Sequence, residues 1–262
     1  MVSSQRAFRD LSPGPYRHLL RLTDLLSDAV VVNCRALRRH LVEDYGVPEA
    51  KIRLCHNGID TDQFRPAPRA RPVELQGAAA VIGVVCALRP EKGLPTLLEA
   101  FARVRKATPG ARLLIVGSGE MLPKLEALRT HLNLGDACLF KPATADVAAW
   151  LNVLDVFVLP SLSEAFSNSL MEAMACGCAV VASEAGGNPE LVEDGRTGLL
   201  FKTGDPADLA AKLQRLLGQE SLRRNLAETG RRFIHQGFSL ASATRNMEGI
   251  YRELLAGKPR GS

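Results

Sequence analysis

Short apolar runs alternate with amphipathic stretches along most of this chain, and that alternation limits the possible folds more than any other feature. Val81–Cys86 is an apolar run short enough for a strand buried on both faces. Leu94–Lys106 follows, with Leu97, Leu98, Phe101 and Val104 at helical spacing. The pattern then repeats. Strands are predicted at Arg112–Val116, Cys138–Phe140, Val156–Leu159, Ala179–Ala182 and Gly198–Phe201. Helices are predicted at Met121–Leu132, Asp146–Leu151, Ser167–Cys176, from Pro189 to Val192, and at Pro206–Leu217. Regular strand–helix alternation of this kind predicts an α/β chain with a doubly wound parallel sheet. Ligands of such sheets sit beyond the carboxyl ends of the strands. The loops that matter are therefore 87–93, 117–120, 141–145, 160–169 and 183–189.

The flanking segments are read in the same way. Ala29–Val32 is a short strand followed by a charged amphipathic helix from Ala36 to Tyr45, which Gly46-Val47-Pro48 stops. Ile52–Cys55 is a second short strand, ended by the turn-forming pair Asn57-Gly58. Residues 65–78 (RPAPRARPVELQGA) hold three prolines and have the composition of a linker. The expected organisation is a first part at 1–64, the linker at 65–78, a doubly wound ligand-binding domain at 79–238 and a helical segment at 239–262. Within the last, Met247, Ile250, Tyr251 and Leu254 share one helix face.

Composition closes off several classes. Hydrophobic residues at 46% and charged residues at 23% exclude a disordered chain. The longest apolar run, Gly77 to Leu88, is shorter than the ~18 residues of a membrane span, and MVSSQRAFRD has no apolar signal core. A soluble, cytoplasmic protein is expected. No C-x-x-C or H-x3-H pair occurs, so the six cysteines read as reduced thiols and no metal site is expected. The net charge of +5 is uneven: residues 1–40 carry +4 and residues 215–262 carry +5. With few aromatics among these basic residues, nucleic acid is not the expected partner. Peripheral contact with an anionic membrane, at its inner face, through Arg17, Arg21, Arg38 and Arg39 is one expectation. A solvated Arg-rich surface is the other.

The strongest local signal is Ser163-Glu164-Ala165-Phe166-Ser167-Asn168-Ser169-Leu170-Met171-Glu172, directly after a strand. Ser167 or Asn168 can cap the next helix. The amides of 166–169 would then face the space over the strand ends, where a helix N-terminus favours an anion. Glu164 and Glu172, if both helical, would lie ~12 Å apart, beyond the ~5–9.5 Å of a glycoside hydrolase pair. They read better as holding two ends of one ligand, the alternative for Glu172 being an ordinary exposed helix glutamate. Leu88-Arg89-Pro90-Glu91-Lys92-Gly93 places two cations in a strand-end loop, which suits a phosphate or a solvated turn. Gly117-Ser118-Gly119 lacks the third glycine of a dinucleotide fingerprint, with Leu122 in its place. In Gly186-Gly187-Asn188-Pro189-Glu190, Asn188 as N-cap and Pro189 at the first helical position account for the local chemistry without a functional role.

Taken in order, LRPEKG, VGSGE, SEAFSNSLMEAMACG with its E-x7-E spacing, and GGNPELVEDGRTGLLF resemble the retaining glycosyltransferase family four, or "group 1", with the GT-B fold. Asn57-Gly58-Ile59-Asp60 and Phe64 are similar to that family's inter-domain connection. The resemblance spans about residues 28–256. It implies transfer of a sugar from a nucleoside-diphosphate donor (UDP-, GDP- or ADP-sugar), with retention and without a metal or other cofactor. The implied acceptors are glycan, lipid-linked or small molecules, as in polysaccharide or glycolipid biosynthesis. Glu164 is implied at the donor sugar as the catalytic position and Glu172 at the ribose. Phe166, Ser167, Asn168, Ser169 and Leu170 are implied at sugar and diphosphate, and Lys92 with a nearby Arg at the diphosphate. The family's Arg position holds Ala87 here, which leaves Arg89 as its substitute, and Pro142 replaces a family glycine. Residues 1–64 supply only the last part of a first Rossmann-like domain. The competing readings are a nucleotide-sugar-binding module without activity of its own, and a GT-B epimerase or glycan phosphorylase.

Overall fold

The computed structural model describes the backbone of residues 1–11 and 14–256, and the side chains of all of these except 14–18. Arg17 and residues 257–262 therefore lie outside the described side chains. Two all-parallel sheets are present. The smaller contains β1 (Val2–Gln5), β2 (Ala29–Val32) and β3 (Ile52–Leu54) in that order. α1 (Gly14–Leu26) leads from β1 to β2, and α2 (Arg35–Glu43) leads from β2 to β3. β1 was not predicted: Val-Ser-Ser-Gln is a polar edge strand with no apolar run to announce it.

The larger sheet contains β4 (Ala80–Val85), β5 (Ala111–Val116), β6 (Cys138–Lys141), β7 (Val156–Leu159), β8 (Ala179–Ser183) and β9 (Leu199–Phe201). Its helices are α3 (Leu94–Ala107), α4 (Leu122–His131), α5 (Val147–Leu151), α6 (Asn168–Ala175), α7 (Asn188–Leu191), α8 (Pro206–Gly218) and α9 (Glu220–Gly237). Strands β4, β7 and β8 are buried along their whole length. That is why they read as continuous apolar runs instead of alternating ones. The strand order is β6-β5-β4-β7-β8-β9. The winding reverses between β4 and β7, and the loops after these two strands diverge to leave a crevice.

The chain crosses between the sheets twice, and the two crossings run side by side. Ile59 donates its amide to Phe238 O at 2.9 Å, and Leu240 donates to Ile59 O at 2.9 Å. Gly58 is required at this crossing, since a Cβ there would stand 2.5 Å from Ser239 O. α10 (Leu240–Ala256) then packs Met247, Ile250 and Leu254 against Val2, Val31 and Cys55 of the smaller sheet. Tyr251, expected on that face, is turned to solvent, and the Arg53–Glu253 pair at 2.8 Å closes the edge of the contact. Of the second basic segment, α10 with Arg245 and Arg252 lies at the smaller sheet beside residues 1–40, whereas Arg215, Arg223, Arg224, Arg231 and Arg232 ride on α8 and α9 against the larger sheet. Of the arginines in residues 1–40, Arg38 pairs with Glu49 and Arg21 stacks over the Tyr45 ring.

The proline-rich 65–78 segment is held down. Asn152 accepts from the Ala67 amide and donates to Arg65 O, and Arg71 pairs with Asp155 at 2.6 Å. Among the described residues no helix is long and apolar enough to cross a membrane, and no group of three or more His, Cys, Asp or Glu is placed to hold a metal.

Candidate functional site

A cleft of about 430 Å³ opens where the carboxyl ends of both sheets face each other. The smaller sheet contributes Arg6, Asn33 and Asn57, each just past the end of a strand. The larger contributes Cys86, Ala87, Lys92, Glu164 and the segment Phe166 to Ser169. These last residues come from the loops after β4 and β7, the two strands between which the winding reverses.

Those two loops are stitched together. Glu91 O accepts the amides of Leu162 at 2.7 Å and Ser163 at 3.4 Å. Gly93 closes the turn with φ +61°, and its Cα lies so close to Pro160 that a Cβ would meet the carbonyl oxygen at 2.2 Å. The result sets Lys92 Nζ 2.6 Å from Glu164 Oε2, with both side chains largely buried (19% and 12% exposed). Ser161 Oγ donates to the same carboxylate oxygen at 3.0 Å. Ser167 is the N-cap of α6 and accepts from the Leu170 amide. The first turn of α6 therefore offers its remaining amides to the cleft.

Gly186 and Gly187 press against the back of this loop. Gly186 has φ +53°, and a Cβ on it would stand 1.7 Å from Glu164 O. Leu170 is fully buried behind the helix start. Glu172 lies about one turn into α6, outside the cleft lining, and burial raises its carboxyl above the ordinary value. Arg89 is placed elsewhere. Its side chain is 65% exposed, it lies 3.8 Å from Glu91, and it is absent from the cleft wall. The second cation of the cleft is Arg6 instead.

Asn188 is not the N-cap expected of it. Gly187 holds that position, its amide donating to Glu164 O, and Asn188 is buried in the first turn, donating to Ser183. Glu190, read from the sequence as locally explained, reaches across to the other sheet. Its Oε1 accepts the amides of Arg35 at 2.7 Å and Ala36 at 3.2 Å, and its Oε2 lies 3.2 Å from His56 Nε2. The His56 ring lies 5.0 Å from that of Phe166. One carboxylate thus caps α2 and steadies the ring that backs the cleft. Burial pushes Glu190 up, but the His56 bond and the two amides outweigh it and hold the carboxyl below 4.5. Glu190→Ala is expected to cost about 1–3 kcal/mol, the penalty of leaving those amides unpaired. With a depressed folded pKa, this contribution is present above pH ~4.5 and is lost as pH falls through the folded value. Denaturant titration at pH 7 and at successive steps below pH 4.5 checks both statements. A loss below ~0.5 kcal/mol at pH 7 would mean that water replaces the carboxylate.

The family model described as "Glycosyl transferases group 1" matches residues 70–233, which hold all of the larger sheet, Lys92, Glu164 and α6. The chain belongs to this family. A second model, "Glycosyltransferase Family 4", matches residues 4–63, the smaller sheet. Among curated relatives, the D-inositol 3-phosphate glycosyltransferase of Segniliparus rotundus is 32% identical over 257 residues, covering 94% of this chain and 57% of that protein. The chain thus spans little more than half the length of that relative. Among solved structures, Anabaena HepE in complex with UDP and glucose superposes with a TM-score of 0.86 at 22% identity, over 96% of this chain and 71% of that one. The sucrose-phosphate synthase of Thermosynechococcus elongatus gives 0.84 at 27% identity, over 98% and 68%. The group 1 chain described here has part of a GT-B fold, with the second sheet represented by three strands.

Proposed function

We propose that this chain carries the donor site of a glycosyltransferase and transfers a sugar, with retention, from a nucleoside diphosphate to a hydroxyl-bearing acceptor. The observation that carries the reading is the Lys92–Glu164 pair at the mouth of the β4–β7 crevice, beside the first turn of α6. In the free protein the two charges satisfy each other. An arriving diphosphate competes for Lys92 and for the α6 amides, and a sugar hydroxyl competes for Glu164. Binding thus exchanges one ion pair for two sets of charge-assisted bonds. As the glycosidic bond breaks, negative charge grows on the departing diphosphate. Lys92 and the amides of α6 are already aimed at it, so little reorganisation is needed. Glu172, about one turn along the same helix, is the residue this reading assigns to the ribose.

Calorimetry with UDP, GDP and ADP tests this reading and identifies the base. Glu172→Ala is expected to weaken the preferred nucleotide by about 1–3 kcal/mol, the cost of unpaired hydroxyl groups. Because burial raises the Glu172 carboxyl, wild-type affinity should also fall on acidification before that of the mutant does. Equal affinity of wild type and mutant for every nucleotide would remove Glu172 from the site. Product analysis with a nucleotide sugar separates transfer from epimerisation or phosphorolysis.

A further inference from the structure

We propose that Ser183 and Asn188 are positioning residues for Glu164, and that they act through Ser161. Ser183 ends β8, and its hydroxyl donates to Ser161 O at 2.6 Å. Ser161 donates from its own hydroxyl to Glu164 Oε2 at 3.0 Å. Behind Ser183, the Asn188 amide nitrogen donates to Ser183 O at 3.1 Å and to Ser183 Oγ at 3.3 Å. Ser161, Ser183 and Asn188 are all fully buried. A line of polar contacts therefore runs from the first turn of α7, through Ser183 and Ser161, to the carboxylate that pairs with Lys92. The role of Glu164 toward a sugar hydroxyl rests on the donor reading; its positioning by this line does not.

Donor and acceptor chemistry sets the direction of each bond. A carbonyl oxygen only accepts, so Asn188 must turn its nitrogen toward Ser183 O, and Ser183 must give its one proton to Ser161 O. The second proton of the Asn188 amide meets Ser183 Oγ and fixes the rotation of that hydroxyl. The arrangement has a cost: Asn188 Oδ1 is buried with no hydrogen-bond partner among the described residues. Helix capping does not explain it, because Gly187 is the N-cap of α7. The turn that carries Glu164 shows what the bonds to Ser183 accomplish. Glu91 O accepts the amides of Leu162 and Ser163, and Gly187 donates to Glu164 O at 3.1 Å. Those bonds fix the backbone at 162–164. The bond from Ser183 fixes Ser161, the residue whose hydroxyl reaches the carboxylate. When Lys92 turns to a diphosphate, Ser161 is the donor left on Glu164 Oε2, and the carboxylate stays aimed only as well as Ser161 is held.

The test reads the Lys92–Glu164 pair and needs no ligand. N-hydroxysuccinimidyl acetate acetylates the neutral amine of a lysine, a form that pairing with a carboxylate suppresses. The rate at Lys92 is followed by peptide mass spectrometry, with the exposed Lys106 and Lys124 as references. Glu164→Gln removes the pair and should raise the Lys92 rate against these references. Ser183→Ala should raise it as well, by about twofold or more. Asn188→Ala should act in the same direction, and the double variant should react no faster than Ser183→Ala, because Asn188 acts through Ser183. An unchanged Lys92 rate in Ser183→Ala, beside a raised one in Glu164→Gln, would overturn the proposal. Equal acceleration at Lys92, Lys106 and Lys124, the mark of a general loosening, would overturn it too, as would additive effects of the two substitutions. No change in Glu164→Gln would remove the pair, and with it anything to position. Calorimetry with UDP and UDP-glucose adds the functional readout. Ser183→Ala should weaken UDP-glucose by about fivefold more than UDP, and equal changes for both would sever Ser183 from sugar binding. If wild type binds neither, the donor reading fails, and the acetylation rates still decide whether Ser183 and Asn188 position Glu164.

Discussion

Replacing Asp24 with alanine should lower stability by about 3–5 kcal/mol, the cost of stranding one partner of a buried ion pair. Arg9 is fully buried, and its Nη2 lies 2.8 Å and 2.7 Å from the two oxygens of Asp24, itself 8% exposed. The Tyr45 ring covers the guanidinium at 4.9 Å, and the Arg9 amide donates to His40 Nε2. Without Asp24, a full positive charge would remain buried without a counter-charge bonded to it. At roughly 2–4 °C per kcal/mol for a chain of this size, the melting temperature should fall by about 6–20 °C. The double variant Arg9→Met, Asp24→Leu should recover most of that loss, because it removes both charges while keeping volume. A single-mutant shift within ~2 °C of wild type would show that water reaches Arg9 in solution. The change should also reach the cleft. Arg6 lies three residues before Arg9 on the same short segment after β1, so loosening the pair should loosen the wall that Arg6 forms.

How much of this was legible follows from the physics of each part. The larger sheet was readable because its central strands are buried on both faces, and nothing polar interrupts Val156–Leu159 or Ala179–Ala182. The loops that line its side of the cleft were readable because a parallel sheet places the loops after its strands at one end. Lys92 and Glu164 are 72 residues apart in sequence, yet both follow strands that neighbour each other at the point where the winding reverses. The smaller sheet's share of the cleft was not legible. Arg6 and Asn33 belong to no motif, Asn57 is legible only as part of a turn and inter-domain connection, and the three come from separate segments. What gathers them is register: Gln5 pairs with Val32, and Val32 with Leu54, so all three strands end level. That requires β1, whose Val-Ser-Ser-Gln sequence offers no hydrophobic signal. The same logic explains Arg89. A cation in the right loop was visible, but the direction of its side chain was set by the turn from Pro90 to Lys92, which sends Lys92 inward and Arg89 to solvent. Glu190 was hidden for a related reason. Its partners are two backbone amides and a histidine more than 130 residues away, and backbone amides leave no trace in sequence.

The largest expected effect on ligand binding belongs to Lys92→Ala. Lys92 neutralises Glu164 in the free protein, and in the proposed reading it is also the cation of the larger sheet's loops that meets an incoming diphosphate. Removing it deletes a charge-assisted bond, an effect of about 1.5–3 kcal/mol. It also leaves Glu164, with Ser161 as its remaining hydrogen-bond donor, ionised beside the anion that has to bind. Both consequences act against phosphate and hardly touch the base or ribose. UDP affinity should therefore fall by about 10- to 150-fold, while uridine affinity changes little. The repulsive share can be separated. In Lys92→Ala, Glu164→Gln the carboxylate charge is gone, so UDP affinity should rise above that of Lys92→Ala alone, although Glu164→Gln in the wild-type background should not improve it. Non-additivity of that sign in the double-mutant cycle is the mark of a lysine whose charge is shared between a carboxylate and a phosphate. Additive effects would mean that the two residues act separately. Equal losses for uridine and UDP would mean that Lys92 shapes the cleft without meeting the diphosphate.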